Sequence, residues 1–231
     1  MYVLRQPARE LAAFIEHYWF VLDRPSERSD LHVEVFVDAR ADLIFTFGAP
    51  YRREVINGSA RQVAYANVDA QRLVPIRIVQ RGSVRVAGVR FRLGGLGPFT
   101  DAHLADWSGA TPRPEMILGA YAVRLETELR DTPDPDDAAV ALDGFFREQL
   151  GRHGPHPGFW RALDVLQDSG GRVSVAELAG AADVSLRHLE RLFARELGFS
   201  PRTVARVLRF QRVLGCQTLT GGSARREDHQ G

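Results

Sequence analysis

Apolar and polar residues alternate through much of the first ninety positions, and the period changes beyond them. Val84 to Leu93 is the clearest run, with Val86, Val89 and Phe91 apolar and Arg85, Arg90 and Arg92 interleaved. Leu31 to Val37 (LHVEVFV) alternates in the same way, and a second run (DLIFTFG) starts at Asp42. A period of two marks strands with one face buried. Shorter strands are expected at Trp19 to Leu22, Arg53 to Ile56, Gln62 to Tyr65 and Val74 to Val79, with Asn57-Gly58 as a turn. Six or more short strands at near-regular spacing predict a small barrel or sandwich. Leu11, Phe14, Ile15 and Tyr18 stand at helical spacing, which predicts an amphipathic helix within residues 7–18.

From Gly94 the period lengthens. LGPFTDAHLADW predicts a short helix capped by Thr100, with Asp101 in its first turn. Leu118 to Leu129 and Ala138 to Leu150 carry apolar stripes at helical spacing, separated by a Pro- and Asp-rich loop. Gly151 to Gly158 (GRHGPHPG) has the composition of a linker. The expected organisation is a β-rich domain with trailing helices at 1–150, a linker at 151–158, an all-α domain at 159–214 and a disordered tail at 215–231. The fold class is therefore α+β.

The helical domain has sharp punctuation. Phe159 to Gln167 reads as a helix. Ser174 with Glu177 forms a capping box before Val175, Leu178 and Ala179. Ala182-Asp183-Val184 is the expected turn. Ser185 caps a helix from Leu186 to Leu197, and Gly198 stops it. Ser200-Pro201 opens a last helix to about Leu214. A capped helix, a short turn and a second helix are the parts of a helix-turn-helix module that enters the DNA major groove.

On the helix from Leu186, the residues Leu186, Leu189, Phe193 and Leu197 are the expected buried stripe. Arg187, Glu190 and Arg191 fall on a different face. Arginine can donate two bonds to guanine, and glutamate can accept from cytosine, so these three are the candidate base contacts. Arg195, His188, Ser174 and Ser185 are the candidate phosphate contacts, the two serines because helix N-termini hold anions. Taken alone, Arg and Glu at such spacing equally suit an ordinary solvated helix. The order of cap, turn and connector favours the reader.

Composition adds little against this. The charged fraction of 26% and apolar fraction of 45% are those of a globular chain. All 30 basic residues are Arg. Residues 1–150 sum to −3 and residues 151–214 to +4, an asymmetry that suits a nucleic-acid-binding module joined to another body. A lone Cys216 leaves no internal disulfide. No long apolar run or signal peptide is visible, so a cytoplasmic location is expected. No nucleophile elbow, Walker loop or dinucleotide fingerprint occurs, so no enzyme activity, metal or cofactor is expected. His153 and His156 lie close together, and His32 and Glu34 share a strand face, but neither pair has the ligand set of a metal site. Trp19, Phe45, Phe47 and Phe91 read as core.

The run from Ala176 to Pro201 resembles the first helix-turn-helix of AraC/XylS-type transcription regulators. The matching residues are A-E-L-A at Ala176 to Ala179, V-S-L-R-H-L-E-R-L-F at Val184 to Phe193 and G-F-S-P at Gly198 to Pro201. The resemblance implies a DNA-binding transcription factor in bacteria, with Arg187, Glu190 and Arg191 meeting base edges. Residues 38–48 and 87–95 are similar to a β-rich domain that precedes such modules. Domains of that class are often cupin-like barrels binding a small-molecule effector or forming a homodimer. Regulators of this type carry a second module. Here only 17 residues follow Leu214, so a truncated relative is expected, with Val207, Phe210 and Leu214 left exposed. Two alternatives remain: an interaction protein that pairs with a full-length regulator without touching DNA, and a small-molecule-binding barrel.

Overall fold

The computed structural model describes residues 1–23, 31–35, 37–58 and 61–213. The expected tail and Leu214 lie outside them. Among the described residues nine strands come first: β1 (Tyr2–Arg5), β2 (Ile15–Asp23), β3 (Leu31–Val35), β4 (Asp42–Thr46), β5 (Tyr51–Val55), β6 (Arg61–Ala64), β7 (Ala66–Asp69), β8 (Ile76–Gln80) and β9 (Val84–Phe91). Two short 3₁₀ turns follow at Gly97–Phe99 and Leu104–Trp107. Among the described residues seven helices come last: α1 (Pro114–Leu118), α2 (Tyr121–Asp131), α3 (Pro135–Arg152), α4 (Pro157–Asp168), α5 (Val175–Ala182), α6 (Leu186–Glu196) and α7 (Pro201–Val213). A β-rich part is thus followed by a helical part, as the α+β reading expects.

The strands form two antiparallel sheets, a five-stranded one ordered β1-β2-β9-β4-β7 and a four-stranded one ordered β3-β8-β5-β6. Alternation along β4 and β9 gives the larger sheet two different faces. Leu43, Phe45, Ala87, Val89 and Phe91 point into a core shared with α1, α2 and α3, where Leu125, Leu142 and Phe146 are buried. Ile44, Val84 and Val86 point the other way, onto Tyr51 and Ala64 of the smaller sheet. Trp19 packs there and Phe45 and Phe91 are fully buried, so the aromatic residues are core as expected.

The space between the sheets is only partly apolar. Arg53 Nε donates to Asp69 Oδ1 at 3.2 Å, and Arg72 Nη1 donates to Asp69 Oδ2 at 2.8 Å. All three side chains are buried, and Arg72 is 0% exposed. Tyr51 donates its hydroxyl to Asn67 across the two sheets. Arg90 spans Asp38 and Asp42 at the sheet end.

Several expectations are corrected. No helix forms within residues 7–18. Hydrogen-bonded turns run from Ala8 to Ile15, and β2 begins at Ile15. A bulge between Ile15 and His17 shifts the strand register by one, so Ile15, Tyr18 and Phe20 all face the core. A bulged strand has produced a spacing that looks helical. The predicted helix capped by Thr100 is instead the two 3₁₀ turns, with Thr100 closing the first: its hydroxyl donates to Ile117 O and accepts from Ala102 N. The stripe from Leu118 is broken at Gly119, which takes φ 75° and ends α1 before α2 starts. Strands β1 and β7 were not anticipated. Gly151 and Arg152 still belong to α3, and α4 starts at Pro157, so the non-helical stretch spans only 153–156.

Candidate nucleic-acid interface

Local signals set the module's geometry. Ser174 Oγ accepts from Glu177 N at 3.2 Å, and Glu177 Oε2 accepts from Ser174 N at 2.9 Å, which closes the capping box on α5. The helix ends on Asp183 in the left-handed region (φ 56°, ψ 48°). Val184 N donates to Ala179 O at 3.0 Å and Asp183 N to Gly180 O at 3.1 Å, the paired bonds of a Schellman motif. Asparagine and aspartate are the residues other than glycine that tolerate this conformation best. Ser185 then caps α6 by accepting from His188 N at 3.3 Å. Three residues therefore separate the two helices. Arg161 of α4 donates to Ala181 O and Ala182 O, both at 3.1 Å, and so holds the end of α5.

The inward side of α6 is buried through Leu189, Leu192, Phe193 and Glu196, with Leu197 beyond. The four apolar residues join Phe159, Leu163 and Leu166 of α4, Leu178 and Ala182 of α5 and Val204 and Val207 of α7. Phe159 and Phe193 meet edge to face with centroids 5.0 Å apart. Two expectations are corrected here. Leu186 is 53% exposed, because it is the first residue of α6 and lies beyond the edge of the core; Leu192 takes the place given to it. Val207 is 5% exposed, packed in the second core, whereas Phe210 is 48% exposed.

Arg187, Glu190 and Arg191 are exposed together on the outward side of α6. Arg191 Nη2 lies 3.4 Å from His188 Nδ1. Arg195 is exposed nearer the helix end, with its Nε 3.5 Å from Glu196 Oε1. Ser185 and Ser174 are exposed at the starts of α6 and α5. Ser174 already has its backbone N–H on Glu177, so its hydroxyl hydrogen is what it can offer an anion. His156 falls within the stretch of linker composition. It caps α4 by accepting from Phe159 N at 3.4 Å, and its ring centroid lies 6.5 Å from that of His188. Arg202 and Arg206 also stand exposed on α7, where the sequence reading named only apolar residues. The arrangement can present a planar donor pair and a carboxylate to base edges, with cations and hydroxyls flanking them.

Glu196 lies at the far end of α6, on the inward side. Its burial pushes the carboxyl pKa above the ordinary glutamate range, against the opposing pull of Arg195. His32 and Glu34 are exposed on β3, and Glu34 pairs with Arg77 at 2.7 Å. His153 Nδ1 lies 3.2 Å from Asp101 Oδ1.

Residues 4–112 match a family model described as a domain of unknown function (DUF6597). The match runs from β1 through the two 3₁₀ turns and does not reach the helices. Among solved structures, the chain is similar to apo ToxT from Vibrio cholerae strain SCE256, with 10% identity, a TM-score of 0.41 and coverage of 86% of this chain and 82% of that one. ToxT from Vibrio cholerae O395 bound to (E)-4-(8-methylnaphthalen-1-yl)but-3-enoic acid gives 9% identity, a TM-score of 0.39 and coverage of 86% and 83%. The AraC-like transcriptional activator CuxR gives 10% identity, a TM-score of 0.34 and coverage of 94% and 87%. No curated protein matches the sequence. Among the described residues, no helix is long and apolar enough to cross a membrane.

Proposed function

We propose that the chain is a sequence-specific, DNA-binding transcription regulator of the AraC type, with α6 as the helix that enters the major groove. One observation carries this reading. Arg187, Glu190 and Arg191 are exposed side by side on a helix whose opposite side is core, after a three-residue turn from a capped helix. Arg187, Glu190 and Arg191 are assigned to base edges, and Ser174, Ser185, His188 and Arg195 to phosphates. The β-rich domain is assigned a sensing or self-association role. A homodimer would present a second copy of the module at raised effective concentration.

Duplexes selected from a random library and run in a gel shift test this reading. Arg191→Ala is expected to weaken the selected duplex by about 1–3 kcal/mol and relax its base preference. Arg195→Ala is expected to weaken selected and random duplexes alike. Binding untouched by both substitutions at low salt would refute the groove assignment.

A further inference from the structure

The last turn of α6 is enclosed by the β-rich half of the chain. Gly198 O accepts from Ser108 Oγ at 2.8 Å. Ser108 Oγ in turn accepts from Gln71 Nε2 at 3.3 Å, and the same amide donates to Leu104 O at 3.2 Å. Gln71 is 2% exposed, and its own carbonyl accepts from Gly109 N at 2.9 Å. A relay thus runs from Gln71, two residues after β7, through the Ser108 hydroxyl, to Gly198, which stops the reading helix.

The two sides meet closely, with the Gln71 side-chain amide seated directly against Gly198. Gly198 takes φ 86°, and a Cβ there would overlap the Gln71 amide and approach Leu104 O to 2.8 Å. A Cβ on Gly97 would lie 2.8 Å from Glu196 O. Shape holds the helix end against the loop, and the hydrogen bonds fix its register.

We propose that Gln71 and Ser108 are positioning residues for the reading helix, setting the direction in which α6 presents Arg187, Glu190 and Arg191. The proposal rests on the reading of α6 as the groove helix. Arg187 lies eleven residues from Gly198, or about 16 Å along the axis. A tilt of about 10° at that pivot would carry Arg187 by about 3 Å, a whole hydrogen-bond length, and Arg191 by about 2 Å. Base-edge bonds are lost at that displacement, while phosphate attraction, which acts over a Debye length, survives. The expected signature is therefore a loss of discrimination and not of affinity in general.

The test uses the full chain with Ser108→Ala, Gln71→Ala and the hydroxyl-retaining Ser108→Thr. Affinity is measured for a duplex selected on the wild type and for a random duplex, and amide exchange is followed over residues 192–198. The expected result for Ser108→Ala and Gln71→Ala is about a tenfold loss on the selected duplex. The random duplex should stay within about twofold, exchange at the helix end should quicken, and Ser108→Thr should restore both. Equal losses on the two duplexes, tracking a fall in thermal stability, would reduce these residues to structural ones and overturn the proposal, as would unchanged exchange and binding. If the wild type binds no duplex, the DNA-reading assignment fails by itself, and the exchange data separately decide whether Ser108 and Gln71 hold the helix end.

Discussion

Phe14 and Trp160 meet edge to face, with ring centroids 5.3 Å apart and planes 72° apart. Phe14 belongs to the core between the larger sheet and α1–α3, and Trp160 packs on that core and on the core of the helical domain. The indole Nε1 is buried without a hydrogen-bond partner. Trp160→Phe keeps the ring contact and removes the orphaned N–H, so stability in urea should hold or rise. Trp160→Ala should cost about 3 kcal/mol through the lost packing. A Phe variant as unstable as the Ala variant would show that the indole nitrogen finds a partner in solution.

Asp69 is the shared acceptor for two buried guanidiniums, Arg53 and Arg72; Arg72 reaches it through Nη1, while its Nε and Nη2 have no hydrogen-bond partner. Removing one charge from a buried set leaves the others uncompensated. Asp69→Asn should destabilise the fold by about 3–5 kcal/mol, read from chemical denaturation. Retention of wild-type stability would mean that the cluster is hydrated.

Glu196 gives a pH dependence. Its folded-state pKa is raised by burial, so the protonated form is favoured in the folded state. The stability it contributes is fully present below the ordinary glutamate pKa of about 4.3 and is lost as pH rises through the raised value. Glu196→Gln mimics the protonated form. Near neutral pH it should raise the melting temperature by about 2 °C, a modest figure because partial exposure screens the charge. The gain should vanish at about pH 4. A gain that grew on acidification would reverse the sign and refute the assignment.

Salt dependence separates the two classes of DNA contact proposed for α6. Arg195→Ala should lower the slope of log affinity against log salt by about one, and Glu190→Ala should leave the slope intact. A slope unchanged by Arg195→Ala would take that residue off the phosphate backbone.

The helical domain was legible almost residue by residue, because its punctuation is local. The capping box at Ser174, the cap at Ser185 and the stop at Gly198 each need only neighbours in the chain. Where a contact from elsewhere decides, the reading failed. The spacing of Ile15 and Tyr18 arises from a bulge against β9, which a single segment does not reveal. Leu186 and Leu192 exchanged places because the core edge is drawn by α4 and α7. The enclosure of α6 at its far end was also out of reach. Gly94-Gly95-Leu96-Gly97 reads as a turn, and only the assembled fold shows Gly97 lying against Glu196.

Helix α6 is divided along its length. Residues 187, 190 and 191 are exposed, while residues 193, 196 and 197 belong to the interior. Substitution at the first set disturbs no packed side chain, and substitution at the second disturbs the fold. On the proposed function, a chain built this way acquires a new target sequence by changing three surface positions, with its architecture carried over intact from the parent.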